Sequence, residues 1–289
     1  MISPILEKLC EGQNLSEEEI ELIFSSMMKG ELSDIQSSSF LTALKIKKPS
    51  ADEIFFASNV LLKNLDDVPN HSMELLDLCG TGGDSKSTLN VSTISSLLLA
   101  SLGIKIAKHG NRSVSSKVGS ADLIEKLGLS MDVDLNESLS SIKNTNFSFL
   151  FAPNFHKSMK NVSHIRKDLK MRTIFNILGP LVNPLRPKSQ IMGVYDIELV
   201  PIMAKVLQKQ GVKNALVVHG LDGMDEISIC SKTFIAEVNG KEILEYEFNP
   251  EDYGFKLSSS ESLVIESSDQ SKEITDGIFN NKIKDSRRD

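Results

Sequence analysis

Residues 78–93 read LCGTGGDSKSTLNVST, and this stretch decides how the sequence on both sides of it is interpreted. The short apolar run MELLDLC (73–79) leads into it, and the longer apolar run VSTISSLLLASLG (91–103) leads out of it. A short apolar run, a glycine-rich loop and a longer apolar run predict a strand, a turn and a helix. The stretch therefore indicates a βα unit whose loop starts at Gly80 and ends at Asp84.

The loop fits neither of two familiar phosphate-binding patterns. GTGGDS lacks the last glycine of GxGxxG, and GxxxxGK[ST] also fails, because Ser85 stands where each pattern needs glycine. The loop amides could still bind an anion, together with Asn90, Ser92 and Thr93 at the start of the next helix. A plain turn that needs glycine for geometry alone is the alternative, and both interpretations stay open at this point.

Strand and helix patterns alternate on the C-terminal side of the loop. The further segments are IKIAKHG (104–110), SADLIEKLG (120–128), FSFLFAP (147–153), SQIMGVY (189–195), IELVPIMAKVLQKQG (197–211) and NALVVHG (214–220). Such alternation predicts βαβ crossovers and a mostly parallel central sheet. The runs TFIAEV and KEILEYEF, separated by Asn239 and Gly240, predict a hairpin with these two residues in a type I′ turn.

The N-terminal side predicts helices instead. Capping-box spacing occurs at Ser16 with Glu19, Ser33 with Gln36, and Ser50 with Glu53. Further on, residues 156–189 are basic and helical at first and are then interrupted by Pro180, Pro184 and Pro187. We expect a small α-helical domain, residues 1–68 with a returning segment at about 160–188, and a large α/β domain made of residues 69–159 and 189–289, with a cleft between the two.

The composition limits the class of protein. The chain has 289 residues, of which 40% are hydrophobic and 25% charged, and a formal net charge of −7. A negative balance argues against a nucleic-acid partner, which usually requires a positive surface. No segment resembles a membrane span or a signal peptide, so we expect a cytoplasmic protein with no membrane partner. The cysteines, Cys10, Cys79 and Cys230, lack the spacing of a disulfide framework or a zinc site.

A second polar loop, KHGNRSVSSKVGSADLIEKLG (108–128), begins at the end of the predicted strand IKIAKHG. It gathers cationic, amide and hydroxyl side chains at Lys108, His109, Asn111, Arg112, Ser113, Ser115, Ser116 and Lys117. A loop of this composition favours a polyphosphate ligand, and a solvated basic loop is the alternative.

A third polar loop, GLDGMDEIS (220–228), follows the predicted strand NALVVHG and carries Asp222, Asp225 and Glu226. Magnesium is usually held by one or two carboxylates together with phosphate oxygens of the substrate. A turn rich in aspartate and glycine is the alternative for this loop taken alone. Ligands of parallel sheets gather beyond the carboxyl ends of the strands, so the three loops together predict a magnesium-bound di- or triphosphate.

The order of four motifs resembles the anthranilate phosphoribosyltransferase family. These are GTGGD with NVST, KHGNRSVSSKVGSADLIEKLG, MRTIFNILGPLVNP and HGLDGMDEIS. The resemblance implies a small helical domain and a large α/β domain like that of pyrimidine nucleoside phosphorylases, and a homodimer formed through the helical domain. It also implies transfer of the phosphoribosyl group of 5-phosphoribosyl 1-diphosphate (PRPP) to anthranilate with Mg²⁺ as cofactor. A glutamine amidotransferase is a candidate partner.

The resemblance also implies roles for individual residues. Substrate binding falls to Gly80, Gly83, Asp84, Thr88, Asn90, Val91, Ser92, Thr93, Lys108, His109, Gly110, Asn111, Arg112, Ser113, Ser115, Ser116, Ser120 and Arg166. Within this set, Asn111 and Arg166 would contact anthranilate, and Lys108 and Arg166 would be catalytic. The Mg²⁺ ligands would be Ser92, Asp225 and Glu226. An arginine fork matches a carboxylate better than a lysine point charge does, which suits Arg166 to an aromatic acid.

Three features depart from the family pattern. Lys170 stands where glycine is more common, Val182 stands where threonine is usual, and the chain ends at KDSRRD, where the family continues into an apolar, alanine-rich helix. We expect the α/β domain to lack the family's C-terminal helices and to expose apolar surface there. The rival hypotheses are a pyrimidine nucleoside phosphorylase, a nucleic-acid-binding relative without catalysis, and a truncated inactive copy.

Overall fold

A computed structural model of the chain describes residues 2–65, 68–84, 86–113 and 117–289. Its N-terminal part contains the helices α1 (Ser3–Cys10), α2 (Glu17–Lys29), α3 (Asp34–Lys47) and α4 (Ala51–Lys63). The side chains of Ser16, Ser33 and Ser50 each accept a hydrogen bond from the amide three residues later, and the Glu or Gln there bonds back to the serine amide. The three predicted capping boxes are therefore confirmed.

The remainder of the chain alternates strands and helices as predicted. We call the returning residues 160–188 the crossing segment, and the elements up to its end are β1 (Leu76–Gly80), α5 (Val91–Ser101), β2 (Ile106–Gly110), α6 (Ser120–Lys126), α7 (Leu135–Thr145), β3 (Phe147–Phe151), α8 (Ala152–Phe155), α9 (Lys160–Leu169) and α10 (Phe175–Leu178). They are followed by β4 (Ser189–Gly193), α11 (Leu199–Lys209), β5 (Asn214–Gly220), β6 (Thr233–Asn239), β7 (Glu242–Phe248) and α12 (Ser268–Phe279). Single 3₁₀ turns lie at Lys157–Met159, Gly179–Leu181, Pro250–Tyr253 and Ser260–Leu263.

The strands form one sheet of seven in the order β3-β2-β1-β4-β5-β6-β7. Strands β1 to β5 are parallel, and β6 and β7 continue the sheet antiparallel. The predicted fold class, a helical domain with a mostly parallel α/β domain, is confirmed. Chain order reverses between β1 and β4, where Gly80 pairs with Gly193. Such a reversal opens a crevice beyond the strand ends, and the glycine loop lies there.

The hairpin of β6 and β7 is confirmed, but its predicted turn residues are wrong by one position. Asn239 pairs with Glu242 inside the ladder, which leaves Gly240 and Lys241 in the turn. Gly240 has φ +60°, and Lys241 is not among the residues with positive φ. A positive φ at the first central residue alone is the pattern of a type II′ turn, not of type I′.

One apolar core extends through both parts of the chain. It includes Phe24 and Ile54 of the helical part, Phe175 of the crossing segment, and Met203 and Val217 of the α/β part. Helix α9 packs on α2 and α3, and α11 packs on α4. An ion pair also joins α11 to α4, since Lys209 lies 2.8 Å from Asp52. These contacts fix the crossing segment relative to the strand ends, and the cleft lies between them.

Candidate active site

The loops after β1, β2 and β5 and the crossing segment enclose a cleft of about 540 Å³. The structure brings most of the predicted site residues to its lining: Gly80, Gly83, Asp84, Thr88, Asn90, Ser92, Thr93, Lys108, His109, Gly110, Asn111, Arg112, Ser113, Ser120, Arg166, Asp225 and Glu226. Val91 does not line the cleft and instead packs against the apolar cluster of Leu89 and Ile94. Ser115 and Ser116 lie outside the described residues.

Close approach and backbone conformation explain the glycines of the first loop. A Cβ atom on Gly80 would lie 2.6 Å from Oδ2 of Asp225, so only glycine fits beneath that carboxylate. Gly82 and Gly83 have φ of +63° and +86°, a region that side chains disfavour. The amide of Gly82 donates to Asp225 Oδ2 at 2.8 Å. The loop after β1 thus holds the carboxylate that arrives from the loop after β5.

Three carboxylates meet where these two loops touch: Asp84, Asp225 and Glu226. Burial raises the pKa of Asp225, and the nearby Asp84 raises it further. Burial also raises the pKa of Glu226, with the Asp225 carboxylate as the next cause. One oxygen of Asp84, Oδ2, is buried and has no partner among the described residues. Crowded and buried negative charge of this kind is unfavourable, and it attracts a cation.

The carboxylates fit a hard divalent cation. Among the described residues no three His, Cys, Asp or Glu side chains form a complete metal cage. Mg²⁺ rarely uses such a cage, because it keeps water and phosphate oxygens as ligands beside one or two carboxylates. The raised pKa values of Asp225 and Glu226 and the orphaned oxygen of Asp84 are the features that a bound cation would relieve. Ser92 lies beside them, since its amide faces Glu226.

Lys108 approaches this cluster from β2. Its side chain is only 1% exposed, and Nζ donates to the carbonyl of Leu78 at 2.5 Å and to Oγ of Ser92 at 3.3 Å. Burial lowers the pKa of Lys108, while the charges of Asp77 and Glu226 act in the opposite direction. The ammonium group is therefore fixed next to the carboxylates at the end of β1.

The second loop is held mainly by its own contacts. Arg112 Nη1 pairs with Asp122 at 2.7 Å and with Glu125 at 2.9 Å, and these carboxylates raise its pKa. Its charge is thus already neutralised by α6. Ser120 Oγ donates to the carbonyl of Asn111 at 3.1 Å, and Asn111 Oδ1 accepts from the amide of Arg112 at 2.7 Å.

Asn90 is also fixed by the protein itself. Its Nδ2 donates to the carbonyl of Val118 at 3.2 Å, and its Oδ1 accepts from Ser271 Oγ at 2.8 Å. The side chain of Asn90 therefore links the first loop to the second loop and to α12.

Arg166 on α9 differs from Arg112. It is half-buried, its guanidinium lies 5.5 Å above the ring of Phe175, and burial lowers its pKa. Within residues 2–65, 68–84, 86–113 and 117–289 no carboxylate pairs with it. A half-buried cation without a carboxylate partner, beside an aromatic ring at the cleft, can accept a carboxylate of a ligand.

Two neutral histidines form the neighbouring surface. The rings of His109 and His156 are 5.3 Å apart, and burial lowers their pKa values to about 3 and about 4. His109 Nδ1 donates to the carbonyl of Gly179 at 3.2 Å, so Nε2 carries no proton. That buried nitrogen has no hydrogen-bond partner among the described residues. It offers a free acceptor in an otherwise apolar part of the cleft.

The cleft is also lined by residues that sequence patterns did not mark as binding residues. His156 follows β3, and Gly179, Pro180 and Val182 lie in the crossing segment, and all of them contribute to the lining. The position of His156 just after a strand at the same sheet edge was the available signal. Gly179 and Pro180 belong to the family motif MRTIFNILGPLVNP, in the segment expected to line the cleft, but no pattern marked them individually as binding residues.

Comparison with known proteins gives consistent results. The glycosyl transferase family, a/b domain, matches residues 72–289, and the glycosyl transferase family, helical bundle domain, matches residues 3–64. Over 280 residues the chain is 43% identical to an anthranilate phosphoribosyltransferase of Acetivibrio thermocellus, covering 97% of this chain and 81% of that protein.

Two solved structures share the architecture of this chain. The anthranilate phosphoribosyltransferase of Thermus thermophilus superposes with a TM-score of 0.90 at 34% identity, covering 98% of this chain and 84% of that one. The enzyme of Saccharomyces cerevisiae, in complex with PRPP and Mg, superposes with a TM-score of 0.86 at 30% identity, covering 95% and 80%.

Proposed function

The chain belongs to the anthranilate phosphoribosyltransferase family, and from this premise we propose how its cleft carries out the family's reaction. The reaction moves the phosphoribosyl group of PRPP to the amine of anthranilate. The bond between the ribose carbon and diphosphate breaks, a carbon–nitrogen bond forms, and the amine loses a proton to solvent. The observation that carries the proposal is a single cleft lined both by a carboxylate cluster and by Arg166, which has no carboxylate partner among the described residues.

The diphosphate side of the cleft is assigned to the loop after β1 and the start of α5. Gly80, Gly83, Asp84 and Thr88 would contact PRPP there, with Asn90, Ser92 and Thr93 at the helix start, where backbone amides favour an anion. Thr93 is fully buried and its hydroxyl is unpartnered among the described residues, so it is free to bind a ligand. From β2 and its loop, Lys108, Gly110, Ser113 and Ser120 complete this side.

Ser92, Asp225 and Glu226 would hold Mg²⁺. When bound, the ion would neutralise charge on the diphosphate as the ribose bond weakens. Lys108 acts on the same charge through its fixed ammonium group beside Ser92. Asp84, whose Oδ2 has no partner among the described residues, would supply a further oxygen to this cation site. Together these residues stabilise the leaving group rather than activate the attacking amine.

Anthranilate is assigned to the opposite side of the cleft. Its carboxylate would pair with Arg166, and its ring would lie along Asn111, Pro180 and the two neutral histidines. The bare Nε2 of His109 can accept a hydrogen bond from the substrate amine and so orient it. An aromatic amine is already neutral at neutral pH, so a strong general base is not required. Positioning and leaving-group stabilisation supply the catalysis.

The oligomeric state belongs to the same proposal. We propose a homodimer through the helical domain, where Ile35 of α3 is 79% exposed and Ile46 is 78% exposed. A contact through α3 would remove these two side chains from water. Sedimentation of the purified chain gives the answer directly: a monomer at micromolar concentration would contradict it. The amidotransferase partner and the cytoplasmic location stay predictions. No helix among the described residues is long and apolar enough to cross a membrane.

The test uses the fluorescence of anthranilate itself. The chain contains no tryptophan, so protein emission interferes little. We expect anthranilate fluorescence to fall only when PRPP and Mg²⁺ are both present. Arg166→Ala should raise the KM for anthranilate roughly 10- to 100-fold, because a charged hydrogen-bond partner is lost.

Arg166→Lys is the matched variant for this test. Lysine keeps the positive charge but loses the two-pronged hydrogen bonding of the guanidinium group. The KM of Arg166→Lys for anthranilate should therefore lie between those of Arg166→Ala and the parent protein. A folded protein that never consumes anthranilate would refute the proposal. An unchanged KM for anthranilate in Arg166→Ala would refute the placement of the acceptor.

A further inference from the structure

The backbone of residues 179–182 is held by side chains from outside the segment. We call these residues the acceptor wall, because Gly179, Pro180 and Val182 line the cleft on the side assigned to anthranilate. Each of the four carbonyl oxygens accepts a side-chain hydrogen bond. In chain order the donors are His109 Nδ1 (3.2 Å), Gln190 Nε2 (2.6 Å), Gln210 Nε2 (3.0 Å) and His156 Nε2 (2.9 Å). The cleft-lining residues of the wall, Gly179, Pro180 and Val182, take their position from the donors to their own carbonyls, since a short 3₁₀ turn satisfies few of its own carbonyls.

Gln190 is different from the other donors. It lies on β4, is 4% exposed and does not line the cleft. Its Nε2 donates to the carbonyl of Pro180 and also lies 3.1 Å from Sγ of Cys79. Cys79 is the residue of β1 directly before Gly80, where the glycine loop begins. A single buried amide group thus connects the acceptor wall with the strand that carries the PRPP loop.

We propose that Gln190 is a positioning residue that sets the acceptor wall relative to the glycine loop, and so sets the distance between the anthranilate amine and the ribose carbon. The inference rests on the proposed function, because it takes the acceptor and PRPP sites from there. Reacting groups must be held within a narrow range of distance for efficient attack, and a displacement of a few tenths of an ångström at a rigid wall is transmitted to the ligand. Gln190 would act through Pro180 and Cys79 without touching either substrate.

The competing explanation is that Gln190 only stabilises the fold. Gln210 provides a matched control, because its Nε2 makes the same kind of bond to the next carbonyl, that of Leu181. Its other partner is Ser58 Oγ on α4, at 2.9 Å, and Leu181 does not line the cleft. Gln190→Met and Gln210→Met each remove one side-chain amide of the same size, from a buried position at Gln190 and from a half-buried position at Gln210. Only the first loosens the link between the two substrate sites.

The experiment measures kcat and the KM for both substrates in the anthranilate fluorescence assay, and the thermal midpoint of both variants by heat denaturation. We expect Gln190→Met to raise the KM for anthranilate about tenfold and to lower kcat about tenfold, because a displaced acceptor wall binds the acceptor less well and no longer holds its amine at the attack distance, while the KM for PRPP stays unchanged. Gln210→Met should lower the thermal midpoint about as much as Gln190→Met does, but it should change neither KM.

Gln190→Glu is the conservative variant. A buried glutamic acid facing a carbonyl stays protonated and keeps one donor, so its KM for anthranilate should lie between those of the parent and Gln190→Met. It also keeps the inference testable if Gln190→Met does not fold.

Equal effects of Gln190→Met and Gln210→Met on both KM values would overturn the inference in favour of a structural role. So would an unchanged KM for anthranilate in Gln190→Met while Arg166→Ala raises it, and in that case the proposed function would stand. If Arg166→Ala also leaves the KM for anthranilate unchanged, the acceptor site itself is misplaced and the inference fails with it.

Discussion

At the scale of single residues, Asp77 shows how a buried charge can organise a site without entering it. It is fully buried in β1, where Oδ1 accepts from the amide of His109 at 3.1 Å and Oδ2 accepts from Asn183 Nδ2 at 2.9 Å. Burial raises the pKa of Asp77 from 3.8 to about 6, against the opposing effect of Lys108. The carboxyl group thus links β1, β2 and the crossing segment, although its burial makes its ionised form less favourable.

The sign of this shift predicts a pH dependence of stability. A folded-state pKa above the ordinary value means that Asp77 favours the folded state while protonated, and this contribution is lost as pH rises from 3.8 to about 6. A shift of about two units corresponds to about 3 kcal/mol. In urea unfolding, the stability of the parent relative to Asp77→Asn should therefore decline by about that amount between about pH 4 and pH 7.

A matched control separates this effect from the global charge. Asp168→Asn removes an exposed carboxylate of α9 and controls for the change in net charge. Parallel curves for Asp77→Asn and the parent would show that Asp77 does not titrate in this window. A constant offset between the two curves is expected in addition, because the substitution also disturbs the bond with Asn183.

Residue patterns found the polar groups on loops but not those inside the fold. Asp225, Lys108 and Arg166 stood out because charged residues followed predicted strands or matched a family motif. Gln190 and Asn183 sit in apolar or proline-rich surroundings, and their partners are distant in the sequence. No local pattern can report a contact that exists only after the sheet has formed.

At the scale of elements, the end of α9 accounts for one departure from the family pattern. Lys170 follows the helix with φ +47°, the left-handed conformation in which a helix typically closes on glycine. The family's usual glycine at this position therefore reflects backbone geometry. Lysine tolerates the conformation, but its Cβ makes it unfavourable.

Lys170→Gly should relieve this strain. We expect the free energy of unfolding to rise by about 1 kcal/mol, measured by chemical denaturation. Lys167→Gly, inside α9, is the control and should lower it by about 1 kcal/mol, because glycine is a poor helix former. A loss of stability in both variants would mean that the lysine side chain makes a compensating contact.

Features set by neighbouring residues in the sequence were predicted well. Features that depend on the pairing of strands were predicted less well. The capping boxes of α2, α3 and α4 need only residues three apart, and all three are present. The β6–β7 turn was misplaced by one residue because its register is also set by the pairing of β6 with β5, which extends to Asn239 opposite Asn214. A turn dipeptide cannot report that outside constraint.

At the scale of the whole molecule, alternation of strands and helices predicted a parallel sheet but not its strand order. The order β3-β2-β1-β4-β5 places β1 beside β4, although more than a hundred residues separate Leu76 from Ser189 in the chain. That long-range pairing creates the crevice, which lies beyond the strand ends at Gly80 and Gly193. The residues of the three loops predicted a magnesium-bound di- or triphosphate, and the family resemblance supplied its identity as PRPP and the identity of the acceptor.

The apolar core shared by the helical and α/β parts has a consequence for calorimetry. Because Phe24, Phe175 and Met203 belong to one continuous cluster, neither part can lose its packing while the other keeps its own. We expect one heat-absorption peak in differential scanning calorimetry, with a calorimetric enthalpy equal to the van't Hoff enthalpy. PRPP with Mg²⁺ should move this peak to higher temperature as a unit. Two resolved peaks would show that the parts melt as separate cooperative blocks.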